Sequence, residues 1–261
     1  MSSRQAWQEF RAAREAELVQ PYGWLTLQGF HWLPRDPAPL EGLPGTWSTD
    51  GEHARVVAGP GDGLTVDGEP LDGQSLRTVA ETGRLPWLRR GDTEIELLRR
   101  GGRLAVRLRS RTSAAREGFT GVPTFDHDPA WVIRAEFIPG PEDRRVDVAT
   151  HRPDLRQRLR APGEVEFTLD GRPQRLVVTT IKSGLGLEFH DPTNTDETEA
   201  WRQLKFEDPE HGVVTLDFNR TVNMWFAFTD HATCPAPVEG NRISVPVRAG
   251  EKRALSRGCG D

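Results

Sequence analysis

Alternating apolar runs, each soon broken by a glycine turn, constrain this chain more than any other feature. Gly59-Pro60-Gly61-Asp62-Gly63, Asp67-Gly68, Gly101-Gly102, Asp170-Gly171 and His211-Gly212 each mark a reversal. Glycine adopts at little steric cost the positive φ that tight hairpins require. Residues 94–98 and 104–108 flank Gly101-Gly102, and residues 164–169 and 176–181 flank Asp170-Gly171, which predicts two hairpins. One stretch alone has convincing helical spacing: Trp7, Phe10, Ala13 or Arg14, and Leu18 recur at three- and four-residue steps before Pro21. That spacing predicts a helix over residues 2–18. Many short strands with a single helix read as a mainly β protein.

The chain divides on this reading into an N-terminal helix (residues 1–20), a sandwich-like β unit (21–140) and a second β unit (141–261). The second unit is barrel- or sandwich-like and carries the candidate site. The boundary near residue 140 rests on Pro139-Gly140-Pro141, which breaks a strand running from Trp131 to Ile138. The helix is expected to pack across one of the units through Trp7 and Phe10.

With 34 basic and 39 acidic side chains the net charge is −5, which argues against a general binder of nucleic acid or anionic membrane and leaves room for a local basic patch. No run approaches a membrane span and residues 1–10 lack a signal-peptide core, so the expected location is the cytoplasm. Cys234 and Cys259 are the only thiols. They predict neither a disulfide nor a zinc site. No dinucleotide-binding glycine pattern, phosphate-binding loop, Gly-x-Ser-x-Gly elbow or His-x-x-x-His spacing occurs, so no metal and no cofactor are expected.

Polar side chains crowd most densely between Val213 and Lys252. Asp217, Asn219, Arg220 and Asn223 fall within seven positions, and Asn241 and Glu251 follow. Strand alternation puts Asp217 and Asn219 on one face, and Arg220 joins them if the strand ends there. An arginine fork suits a carboxylate or phosphate, while an acid and amides orient hydroxyls. The other reading is an internal Asp217–Arg220 ion pair with asparagines capping turns. Arg202 and Asp191 complete the ligand-binding candidates. His190-Asp191 suggests acid–base work, or a capped loop end before Pro192-Thr193. No catalytic residue is singled out.

Several stretches together resemble a bacterial family known only as domain of unknown function 1684. They are Gly23-Trp24-Leu25 with Gly29 and His31-Trp32-Leu33; Phe119, Phe125 and Asp128; Phe189, Asp191 and Thr193; and Thr198 with Arg202. Asp217-Phe218-Asn219-Arg220 with Asn223, Ala227-Phe228, Cys234-Pro235, Asn241 and Ala249-Gly250-Glu251-Lys252 complete the likeness. The resemblance implies no established activity. The chain departs from the family pattern after Asn223, where Met224-Trp225-Phe226 replaces Pro-Pro-Cys, and at Gly240, where an acidic residue is usual. The first β unit also resembles a forkhead-associated sandwich around residues 64–71. The Gly-Arg and Ser-x-x-His pairs of phosphothreonine recognition are missing there, so that likeness concerns fold only.

The expectation is a protein that binds a small polar or anionic molecule in a pocket of the C-terminal β unit, with catalysis open. The alternatives are a hydrolase-type enzyme using the same polar cluster, or a peptide- or sugar-binding module. A buried, perturbed acid or histidine would favour the enzyme, and an aromatic groove built on Trp201 and Trp225 would favour binding.

Overall fold

A computed structural model describes residues 3–181 and 184–254. It is mainly β, with one long helix, Ser3–Leu18. The chain forms two compact units, Leu18–Phe119 and a larger one combining Met1–Glu17 with Thr120–Asp261.

The Leu18–Phe119 unit is a sandwich of two antiparallel sheets. The six-stranded sheet has the order Leu27–Trp32, Arg103–Ser110, Thr93–Arg100, Arg84–Arg90, Thr65–Val66, Glu69–Pro70. The four-stranded sheet runs Ala38–Leu40, Leu43–Thr49, Ala54–Ala58, Gly73–Arg77. One core joins them, and Trp47 of the smaller sheet meets Trp87 of the larger edge-on at 5.6 Å. The hairpin expected at Gly101-Gly102 is present: Arg100 pairs with Arg103, and the two glycines have φ of 58° and 73°. Positive φ at both central residues matches the right-handed twist of the flanking strands.

In the larger unit seven strands form one curled, half-barrel sheet. Their order is Val213–Asp217, Val132–Pro139, Gly163–Leu169, Arg172–Ile181, Gly184–Phe189, Arg202–Phe206, Val222–Asn223. The hairpin at Asp170-Gly171 follows the same turn chemistry, with φ of 50° and 70°. Val132–Pro139 pairs on both sides within this sheet, with Gly163–Leu169 and Val213–Asp217. The break at residues 139–141 therefore falls inside the larger unit, and the two units divide at Phe119/Thr120 instead. A proline-glycine break ends a strand, but long-range pairing decides which sheet that strand joins. A separate two-stranded ribbon pairs Arg145–Ala149 with Arg156–Arg160.

Phe218 sits at the centre of the larger core, against Trp131, Phe167 and Phe189 with ring centroids 5.9–6.3 Å apart. Residues 241–251 cross this core. Asn241, Ile243, Val245, Val247, Ala249 and Glu251 are buried, while Arg242, Ser244, Pro246 and Arg248 are exposed. That is strand periodicity, yet among the described residues the segment joins no sheet. Residues 241–251 are thus an extended segment tied by isolated backbone bridges at its two ends, to His190 and Thr124, with the polar backbone between them satisfied by other means.

Ser3–Leu18 is anchored differently from expectation. Trp7 does reach inward, its Nε1 donating to Asn219 O at 3.0 Å. Among the described residues before Leu18, however, the most buried are Arg11 and Arg14, 8% and 7% exposed.

Candidate functional site

The candidate residues sort into three groups. The first surrounds Glu251, which has no solvent exposure. Its Oε1 accepts from Arg11 Nη1 at 2.6 Å and from Arg14 Nε at 3.3 Å, and its Oε2 accepts from the backbone N of Asn223 at 2.7 Å. Arg14 also donates to Asn223 O and lies 4.5 Å above the Trp225 ring. Asn223 Nδ2 donates to Lys252 O. Gly250, at φ 75°, has no room for a Cβ, which would collide with the backbone oxygen of Thr221. The network ties the first helix to both halves of the 213–252 stretch.

Arg202 and Asp191 form the second group, both buried. Arg202 Nη1 donates to Ala249 O at 2.7 Å and Glu251 O at 3.2 Å, while Nη2 donates to Val247 O at 2.8 Å and Asp191 Oδ1 at 3.2 Å. Asp191 Oδ2 accepts from Val247 N at 2.8 Å and from the backbone N and Oγ1 of Thr193. These two side chains thus stand in for a missing neighbour strand along residues 247–251. The planar guanidinium fork suits this task, since it presents donors in fixed directions.

Asp217, Asn219 and Arg220 form the third group. The strand ends at Asp217, whose Oδ1 accepts from the backbone N and Nδ2 of Asn219. Asn219 is also locked to the backbone of Asp128 in both directions. Arg220 pairs with Asp217 at 3.2 Å, partly exposed, beside the Phe10 ring. Asn241 stands apart from all three groups. It exchanges hydrogen bonds with the backbone of Val177 and donates to Glu188 O, pinning the start of residues 241–251 to the sheet. Glu251, Asn223, Arg202 and Asp191 are therefore brought together through residues 247–252, whereas Asn241 and the Asp217 group are not. Two surface depressions, one lined by Arg134, Phe137 and His211 and one by Glu166, Gln174 and Arg175, include none of these residues.

A different constellation lies on the outer face of the same sheet. Leu185, Leu187 and Phe189 point into the core, so Glu188 and His190 point away from it. On the neighbouring strand Leu204 and Phe206 point in, and Gln203 and Trp201 point out. The register places Glu188 opposite Gln203, and Gln203 Nε2 donates to Glu188 Oε1 at 2.6 Å. One row further the imidazole of His190 and the indole of Trp201 meet with centroids 6.3 Å apart. Phe226 packs on Trp201 at 4.1 Å, and His151 stacks on Phe226 at 5.0 Å. Cys234, 3% exposed, belongs to the apolar cluster with Phe226 and Trp201. Cys259 lies outside the described residues.

Glu188 is 1% exposed, and Thr179 Oγ1 lies 2.9 Å from its Oε2. Burial pushes its carboxyl above the ordinary glutamate range, partly countered by the bonds from Gln203 and Thr179. Surface acids behave in the opposite way: Glu164, bonded by Arg175 and Arg144, and Glu197, bonded by Arg248, are held low. The sequence reading singled out His190 and Trp201 but passed over Glu188. The signal for it is the paired spacing of 188/190 and 201/203 on two adjacent strands.

Among the described residues no group of three His, Cys, Asp or Glu side chains is placed to hold a metal ion, and no helix is long and apolar enough to cross a membrane. No curated protein is similar to this chain. One solved structure that matches is the solution NMR structure of the uncharacterized protein from gene locus rrnAC0354 of Haloarcula marismortui. It is 28% identical over 55% of this chain and 82% of that one, with a TM-score of 0.46. The family model described as "Protein of unknown function (DUF1684)" matches residues 117–252, just over half of the chain, and the chain belongs to that family.

Proposed function

We propose that the protein binds a small polar or anionic molecule in its C-terminal β unit, on the outer-face patch of Glu188, His190, Trp201 and Gln203. The observation that carries this reading is the register that sets a carboxyl–amide row beside an imidazole–indole row. Small-molecule sites combine apolar and aromatic walls with a few placed polar groups, and Trp201, Phe226 and His151 supply such walls here. The His190 Nδ1 lies 2.9 Å from Ala200 O. In the neutral ring Nδ1–H donates to that carbonyl, so Nε2 is presented as an acceptor. The hydrolase-type alternative draws on the buried Glu188 carboxyl, which burial pushes above the ordinary glutamate range, two residues from His190 on the same strand face. The cytoplasm is the compartment we assign, on the sequence pattern alone.

Titrating a panel of small polar metabolites into protein labelled at the histidine ring carbons tests the reading. A true ligand shifts the His190 and His151 resonances, and Trp201→Leu abolishes the shift without a large change in melting temperature. Binding that persists in Trp201→Leu, or that moves only other resonances, overturns the assignment.

A further inference from the structure

The outward face of the ribbon Arg145–Ala149/Arg156–Arg160 carries Arg145, Asp147, Arg156, Arg158 and Arg160, all exposed. Four arginines against one aspartate give this face a net charge of +3 on a chain of net −5. Its inward residues, Val146, Val148 and Leu159, are wholly or partly buried, so the charged row is not a by-product of a ribbon polar on both sides. Arg158 is taken up by Asp147 through two bonds of 2.9 Å. Arg145 and Arg160 stand directly opposite each other, and neither has a carboxylate within ion-pair distance among the described residues.

The backbone N of Ala161 donates to Arg144 O, so Arg145 and Arg160 form the adjacent, non-hydrogen-bonded pair, in which Cα atoms approach to roughly 4.5 Å. Like charges directly opposite on a sheet are destabilising. A ribbon made only to cover a core would do better with an acid at one of the two positions. We propose that this face docks an extended acidic peptide of a partner protein, with Arg145 and Arg160 together gripping one carboxylate and Arg156 another.

Spacing and charge number favour a peptide over a nucleic acid. Alternate residues on a strand lie roughly 6.8 Å apart, so acids at every second position of an extended peptide include two spaced to meet Arg156 and Arg160, either side of the Arg158–Asp147 pair. Tight phosphate-backbone binding typically uses about 6–10 cationic contacts. This face offers a net +3, and the acidic Glu142 and Asp143 immediately precede the ribbon's first strand.

Fluorescence anisotropy with a short labelled peptide of alternating glutamate and threonine provides the test. The comparison probes are a peptide of the same composition with its glutamates contiguous, and a single-stranded oligonucleotide. The alternating peptide binds best, and added salt weakens it. Arg145→Gln with Arg160→Gln costs about tenfold or more in affinity, the scale of one lost charge-assisted contact. Arg160→Glu abolishes binding while leaving the melting temperature equal or higher, because it replaces repulsion by a cross-strand ion pair. The proposal is overturned by absent binding, by equal binding of the contiguous peptide, by tighter binding of the oligonucleotide, or by unchanged affinity in the glutamine variant.

Discussion

Arg11 and Glu251 are 240 positions apart in sequence, and their side chains meet at 2.6 Å with Glu251 fully buried. The larger unit is therefore closed by a charge pair between its first and last described segments. Arg14 completes a two-to-one cluster around the same carboxylate. Removing one member of a buried, hydrogen-bonded charge cluster is costly because the survivors stay buried.

Glu251→Gln keeps the shape and one acceptor oxygen but removes the charge, leaving two buried arginines uncompensated and setting an amide donor against one of the three groups that donate to the carboxylate. It is expected to lower stability by about 3–5 kcal/mol, read from denaturant midpoints. Deleting residues 1–14 should have a similar cost, since it strips the two arginines from an intact Glu251. A loss below about 1 kcal/mol, the scale of an exposed ion pair, would show that the cluster is solvated in solution.

Arg202→Lys should separate charge from geometry. Lysine retains the ion pair with Asp191 but cannot reach the carbonyls of Val247, Ala249 and Glu251 from one planar group. Each buried carbonyl left without a donor costs about 1–3 kcal/mol. The loss should be local as well as global, so the amide of Val247, bonded to Asp191, should exchange with solvent much faster. Wild-type exchange at Val247 in the lysine variant would contradict the role given to the guanidinium.

These two relationships also mark what the sequence makes legible. Gly101-Gly102 and Asp170-Gly171 announce their hairpins because positive φ is a local demand met by local residues. The helix is legible for the same reason, through its spacing. Its anchoring is not: Arg11 and Arg14 occupy the helix face one would assign to apolar contact or to solvent, and their burial becomes tolerable through partners far along the chain, Glu251 chief among them. Crowding of Asp217, Asn219, Arg220, Asn223, Asn241 and Glu251 correctly locates a polar region. Sequence density cannot distinguish side chains aimed at a ligand from side chains aimed at backbone. Asn219, Asn223, Asn241 and Arg202 are all bonded to backbone groups. Residues 244–249 account for much of this, since an extended segment outside any sheet, bridged by backbone only near its ends, needs side-chain partners for its remaining amides and carbonyls. Glu188 escapes notice because a lone acid in an apolar strand looks like an ordinary solvent-facing position. Its burial is supplied by the outer layer, which local alternation does not reveal.

Glu188 gives the sharpest pH prediction. Its folded-state pKa is raised by burial from the ordinary value of 4.5. Between that value and the raised one, the folded protein holds a proton that the unfolded chain has released. Stability contributed at this position is then fully present at low pH and is lost as pH rises through the window, by about 1.4 kcal/mol per pH unit. Above the raised value the loss levels off. Glu188→Gln removes this titration while preserving the local bonds, because a glutamine oxygen can accept from Gln203 and its amide can donate to Thr179. The variant should match the wild type below the ordinary glutamate value and exceed it in stability above neutrality. Paired denaturation curves across that range check the sign directly. A wild type whose stability relative to Glu188→Gln rises with pH would mean that the carboxylate is charged and supported in the folded protein. The neutral acid of the outer-face patch would then have to be given up.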